Sequence, residues 1–138
     1  MMRAILGLTL ALAATGAHAG ETPAACDPVY VYFYRGEAAL TPQAIPAIAA
    51  GAKILIEKKI PATVSGHTDG LEGDDIVLSE RRAIAVKREL VRLGVNADTL
   101  ETKGRGLSEP LAPIAPNIPE SFNRYVIIDF CGPERFRK

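Results

Sequence analysis

The chain has 138 residues, with 16 Lys and Arg against 16 Asp and Glu, a formal net charge of zero. That balance leaves no basic footprint for nucleic acid and no general attraction to anionic lipid, so recognition must rest on a few placed residues. The length suits one ordinary domain that can bury a core without help.

At the N-terminus Arg3 precedes an apolar run, Ile5 to Ala14, and Ala17-His18-Ala19 then supplies small residues at the two positions a signal peptidase reads. This order predicts a secretory signal peptide over residues 1–19, cleaved before Gly20. The run is too short for a permanent anchor, which takes roughly 20 apolar residues, and no later stretch approaches that length, so the mature chain is expected to lack a transmembrane segment. Cleavage removes Arg3 and leaves a net charge near −1. It also leaves His67 as the one histidine beside two cysteines, too few for a closed metal site. No cofactor is expected.

Residues 20–28 form a short lead that contains Cys26; Cys131 lies near the other end. In an oxidising compartment an isolated pair is a disulfide candidate. The rival is an acylated Cys26. Against it, Cys26 follows Pro23-Ala24-Ala25 and stands well past the apolar run.

Val29 to Tyr34 is wholly β-branched and aromatic and predicts a well-covered strand. Thr41-Pro42 opens a helix as N-cap and first helical residue. It runs to about Lys58, with Pro46 in the second turn expected to bend it. Ala62 to Gly66 is a short strand. A second helix is expected with Ser79 as N-cap, Glu80 at its positive end and Gly94 closing it. Ala83, Val86, Leu90 and Leu93 make its apolar stripe. Arg81, Arg88 and Arg92 gather on the solvated face, whereas Arg82 sits at the stripe's edge and points back towards the preceding loop. Leu100 to Lys103 is a third strand, Gly104 to Pro119 a Pro- and Gly-rich surface connection, and Tyr125 to Phe130 the last strand. The order β-α-β-α-β-β predicts an α+β two-layer sandwich.

Three separated pieces converge in such a fold: Gly66-His67-Thr68-Asp69-Gly70 leaving a strand, Leu78-Ser79-x-x-Arg82-Ala83 at a helix start, and Asn123-Arg124 entering the last strand. They offer a carboxylate, an amide and two guanidinium groups. That set suits a zwitterion, since the carboxylate takes an ammonium and arginine takes a carboxylate in a two-pronged bond. The competing reading is structural: Asp69 capping its own turn and Arg82 paired with Asp74 or Asp75. A hydrolase built on His67 and Asp69 lacks a nucleophile, a carboxylate pair with divided acid and base roles, and a metal cluster, so the chain is not expected to be an enzyme.

Taken in order, Gly-His-Thr-Asp at 66–69, Leu-Ser-Glu-Arg-Arg-Ala at 78–83, Gly94-Val95, Gly104-Arg105-Gly106-Leu107-Ser108-Glu109-Pro110 and Asn123-Arg124-x-Val126 resemble the OmpA-like domain family of outer-membrane proteins, peptidoglycan-associated lipoproteins and flagellar stator subunits. The resemblance covers about Val29 to Phe130 and implies one domain over residues 29–131, with 132–138 as a tail. It implies a mixed sheet of strand order 1-4-2-3, the fourth strand antiparallel to its neighbours. First and last strands would then lie side by side, bringing Cys26 and Cys131 to one edge. It also implies a periplasmic domain, associated with the outer membrane, that binds the peptide stem of peptidoglycan non-covalently at diaminopimelate. Asp69 and Arg82 match the family's principal ligand residues and Arg124 a further contact, with Thr68, Asp75 and Asn123 in the same motifs. The departures lie around them. Tyr34 stands where the family commonly has Asp, Asp74-Asp75 where it has Tyr-Asn, and Tyr125 where it has a second Arg. The loop from Asp69 to Ser79 is about two residues short. A changed shell leaves the alternative that the domain is a protein-interaction module whose partner is another envelope protein.

Overall fold

The structure, a computed structural model, describes residues 26–132. The expected signal peptide over 1–19 and most of the tail lie outside the described residues. Four strands, β1 (Val29–Tyr32), β2 (Ala62–Gly66), β3 (Leu100–Gly104) and β4 (Tyr125–Asp129), carry two helices, α1 (Ala44–Lys58) and α2 (Ile76–Arg92). The sheet order is β1-β4-β2-β3. β4 runs antiparallel to both neighbours, and β2 and β3 are parallel. The α+β two-layer sandwich and its strand order are therefore those expected. Both helices pack on the sheet, α1 against β1 and α2 against β2 and β3.

The core follows from the periodicities. Val31 from β1, Val64 from β2, and Val126 and Ile128 from β4 meet Ile48, Ala52 and Leu55 of α1 and Ala83, Val86 and Leu90 of α2, all buried. Burying each of the larger side chains is worth about 1.5–3 kcal/mol of transfer free energy. Arg81, Arg88 and Arg92 lie on the exposed face as expected. Gly94, at φ +106°, closes α2; Gly94 N–H donates to the Val91 carbonyl and Val95 N–H to that of Leu90.

Both helix starts differ from expectation. α1 begins at Ala44, after a turn in which Thr41 Oγ1 accepts from Ala44 N–H at 3.2 Å. Pro46 thus falls in the first turn, where a missing N–H removes no intrahelical bond. α2 begins at Ile76, and its N-cap is Asp75, whose Oδ1 accepts from Leu78 N–H at 2.9 Å. Ser79 lies inside the helix, where its hydroxyl donates to the Ile76 carbonyl and accepts from Gly106 N–H. Its polar group reads as a cap in sequence but serves as a clamp between α2 and the loop after β3.

Two glycines let α2 reach the sheet there. Gly66 and Gly104 are register partners at the ends of β2 and β3. A Cβ on Gly66 would lie 1.8 Å from the Ser79 carbonyl oxygen, and one on Gly104 2.6 Å from that of Ile76. The first turns of α2 therefore rest on bare backbone, which sets Arg82 close to the strand ends.

The β1–β4 register pairs Val29 with Ile128. Continued past those residues, it brings Cys26 opposite Cys131. The two are disulfide-bonded, with Cα atoms 5.6 Å apart, inside the range a disulfide requires.

Candidate functional site

Antiparallel β4 enters the sheet where β1 and β2 leave it. Phe33 N–H donates to the Arg124 carbonyl and His67 N–H to the Tyr125 carbonyl, so the entry of β4 is held between the two exits. Asp69 follows His67 by two residues, and Arg82 reaches the same edge from α2.

Asp69 is fully buried. Its Oδ1 accepts from Leu71 and Glu72 N–H at 3.1 and 2.9 Å. Its Oδ2 accepts from Glu120 N–H at 2.9 Å and from Arg124 Nη1 at 2.8 Å. Burial works to raise the carboxyl pKa, but the Glu72 and Glu120 N–H bonds and the Arg124 guanidinium together outweigh it and hold Asp69 below the usual carboxylate value. Asp69 is thus ionised and caps its own turn while pairing with Arg124. The connection after β3 covers it: Asn117 N–H donates to the Gly70 carbonyl, and Ala115 packs against Gly70.

Arg82 is also fully buried, and its partner is neither Asp74 nor Asp75 but Glu72. Nη1 donates to Glu72 Oε1 at 2.8 Å and Nη2 to Oε2 at 2.5 Å. The remaining donors go to backbone carbonyls: Nε to Glu37, Nη1 to His67 and Nη2 to Tyr34. All five N–H groups of the guanidinium are therefore engaged, and its Cζ lies 5.4 Å from the Phe33 ring centroid. Glu72 was not singled out in the sequence. The signal was present in principle, as a carboxylate between Gly70 and Gly73 in the shortened loop.

The other expected residues take supporting places. Thr68 is buried and its hydroxyl donates to the Gly73 carbonyl at 2.6 Å. Asp75 is exposed and caps α2. Asn123 is buried; its Oδ1 accepts from Leu111 and Ala112 N–H and its Nδ2 donates to the Ala112 carbonyl, which pins the long connection. Arg124 also donates from Nε to the Phe33 carbonyl at 3.1 Å. His67 is buried, stacks on Tyr125 with ring centroids 4.1 Å apart, and contacts the Ser108 carbonyl through Nδ1 at 2.8 Å.

Two open concavities flank this network. One, of about 360 Å³, is lined by Gly36, Glu72, Asp75, Val77, Leu78 and Arg81. The other, of about 350 Å³, lies over the β1 exit and includes Tyr32, Tyr34, Phe122 and Arg124. Three of its four aromatic residues, Tyr32, Tyr34 and Phe122, are largely exposed, at 40, 58 and 59 % respectively, whereas Phe33 is buried.

Known proteins are similar to this chain in sequence and in fold. The peptidoglycan-associated lipoprotein of Pseudomonas aeruginosa is 37 % identical over 83 residues, covering 59 % of this chain and 49 % of that protein. The chain spans about half the length, or less, of the curated relatives it matches. Among solved structures, the peptidoglycan-associated lipoprotein of Burkholderia pseudomallei superposes at a TM-score of 0.66 with 24 % identity, over 72 % of this chain and 87 % of that one, a likeness of fold. The OmpA-like domain of FopA1 from Francisella tularensis gives 0.59 with 26 % identity, over 75 and 79 %. The OmpA family model matches residues 32–124, from the last residue of β1 to the arginine that meets Asp69; the chain belongs to the OmpA family.

Proposed function

We propose that this chain is a periplasmic peptidoglycan-binding module, not an enzyme, that holds the stem peptide at diaminopimelate through the edge where β1 and β2 leave the sheet. The observation that carries this reading is the convergence of Asp69, Arg82 and Arg124 on that edge, where Asp69 meets Arg124 and Arg82 lies against Glu72 and the His67 carbonyl. Both groups are already paired, Asp69 with four donors and Arg82 with Glu72, so a zwitterionic stem residue binds by exchange with those partners, its ammonium facing the carboxylate and its carboxylate the Arg82 guanidinium. Relatives named as peptidoglycan-associated support the polymer as partner. The Cys26–Cys131 bond supports an oxidising compartment, in keeping with secretion through a cleaved signal peptide and association with the outer membrane. Among the described residues no helix is long and apolar enough to cross a membrane.

A second reading has its own observation. The exposed rings of Tyr32, Tyr34 and Phe122 form an aromatic surface beside Arg124, the composition of a protein contact. On that reading the domain is an interaction module for another envelope protein. Co-sedimentation with purified sacculi separates the two. The parent chain and Arg88→Ala, a change on the exposed face of α2, should sediment with sacculi, and folded Asp69→Ala and Arg82→Ala should stay largely in the supernatant. A parent that does not sediment turns the assignment to the interaction module.

A further inference from the structure

The Glu72 carboxylate occupies a complete cradle for a carboxylate. Four donors close on it: Arg82 Nη1 at 2.8 Å and Nη2 at 2.5 Å, Asp69 N–H at 3.1 Å and Gly36 N–H at 2.7 Å. A two-pronged guanidinium and two backbone N–H groups are what a buried carboxylate needs in place of water. The cradle draws on three parts of the fold, the β1 exit, the β2 exit and α2, while the loop between Asp69 and Asp75 supplies only its present occupant. Nothing in it depends on the carboxylate belonging to this chain.

We propose that Glu72 is an internal stand-in for a ligand carboxylate, so that Glu72 and the ligand compete for the Arg82 cradle. This rests on the peptidoglycan reading for the identity of the ligand, though not for the cradle itself. The loop backbone is fixed: Thr68 Oγ1 donates to the Gly73 carbonyl, Gly73 N–H to the Asp69 carbonyl, and Glu72 N–H to Asp69 Oδ1. Exchange therefore proceeds by rotation of the Glu72 side chain and not by opening of the loop. The concavity of about 360 Å³ that Glu72 itself lines gives the displaced side chain and the rest of the ligand room beside the cradle. Arg82 stays satisfied in both states, by Glu72 without ligand and by the ligand carboxylate with it, so its charge is never left buried and unpaired. A competitor in the same chain lowers the fraction of open sites, and the apparent dissociation constant rises by the inverse of that fraction. Glu72 thus sets the affinity of the site and restricts it to ligands able to replace a carboxylate.

The test uses the full chain with acetate and meso-diaminopimelate as probes. Glu72→Ala empties the cradle. It should melt at a lower temperature than the parent and regain stability in sodium acetate but not in equimolar sodium chloride, while the parent gains nothing from acetate. Calorimetric titration should show diaminopimelate binding Glu72→Ala about tenfold or more tightly than the parent. Glu72→Gln covers the case in which the alanine variant does not fold. Its amide turns N–H groups towards donors, so it should also bind diaminopimelate more tightly than the parent. Acetate rescue without diaminopimelate or sacculus binding by any variant would uphold the cradle and sink the peptidoglycan reading. Sacculus binding by the parent, with no acetate rescue and no gain in either variant, would overturn the proposal and leave the peptidoglycan reading standing.

Discussion

Asp69 and Arg124 are 55 residues apart in sequence, and Arg124 Nη1 lies 2.8 Å from Asp69 Oδ2. The strand order makes the pair: β4 is antiparallel to β1 and β2, so its first residues must meet their last. The carboxylate is fully buried and the guanidinium slightly exposed, so the two partners are not equivalent to mutation.

Asp69→Ala should therefore cost more than Arg124→Ala. Removing the carboxylate strands the N–H groups of Leu71, Glu72 and Glu120 and leaves Arg124 without its charge partner, and losing one side of a buried ion pair costs about 3–5 kcal/mol. In Arg124→Ala the carboxylate keeps three backbone donors, and the loss should be about 1–3 kcal/mol. Urea denaturation at neutral pH measures both. An equal or reversed order would contradict the burial of Asp69.

Stability should fall with acid in two separate phases. Burial lowers the His67 pKa below its ordinary 6.5, against the opposing bond to the Ser108 carbonyl. Its Nε2 is buried without a hydrogen-bond partner among the described residues, so a second proton finds no acceptor there. The unfolded chain binds that proton first; the His67 contribution is complete above about pH 6.5 and is lost as pH falls towards the folded value. Asp69, with its carboxyl held below the ordinary 3.8, behaves alike at lower pH: its contribution is present above the unfolded value and is lost as pH falls through the folded one. His67→Phe keeps an aromatic ring against Tyr125 and should abolish the first phase while leaving the second. Denaturation midpoints followed from neutral pH to below pH 3.8 test this; a first phase that survives in His67→Phe would assign it elsewhere.

Much of this was legible from sequence, and the rest was not, for identifiable reasons. β-branched and aromatic runs marked β1 and β4, although β1 ends at Tyr32 and not at Tyr34, and the Ala83, Val86, Leu90 stripe marked the buried face of α2. The motif pieces placed Asp69, Arg82 and Arg124 at one edge. The Ser79 hydroxyl misled because a cap and a clamp have the same residue type; only the backbone shows that Asp75 takes the cap. Glu72 was hidden for a different reason. A glutamate in a Gly-flanked loop has no periodicity to mark it, and its contact with Arg82 spans ten positions across a turn of unusual length. The cover that the connection after β3 places on Asp69 was equally invisible, because a Pro-rich segment shows where it is stiff but not what it lies upon.

The Cys26–Cys131 bond joins the ends of the domain across a sequence separation of 105. On the loop-entropy model, closing so long a loop stabilises by up to about 4–5 kcal/mol. Cys26→Ser/Cys131→Ser should lower the urea midpoint accordingly while leaving the site intact, since the bond lies at the far end of β1 and β4 from Arg124. A reduced protein that melts with the oxidised one would show that the β1–β4 pairing already holds the ends together.

Gly66→Ala should damage stability and site together. The added Cβ would sit 1.8 Å from the Ser79 carbonyl oxygen and 2.7 Å from its carbon. Both are backbone atoms within α2, so no side-chain rotation relieves the clash and the helix itself must move off the sheet. Overpacking of this kind costs about 1–3 kcal/mol and occasionally more. Ser79 also holds Gly106 N–H, and Arg82, one turn further along, reaches Glu72 and three carbonyls only from its present height. A helix displaced by even a fraction of an ångström stretches those bonds at once. Gly132→Ala is the control. Gly132 has φ +68° and no atom of the described residues within 4 Å of where a Cβ would go, so alanine there should cost only the left-handed backbone term of about 1–3 kcal/mol, with no change at the site. Comparing sacculus binding of the two variants at matched stability, set by temperature, isolates the geometric effect. Gly66→Ala should bind less than Gly132→Ala; equal binding would mean that the position of α2 on the bare backbone of β2 does not set the site.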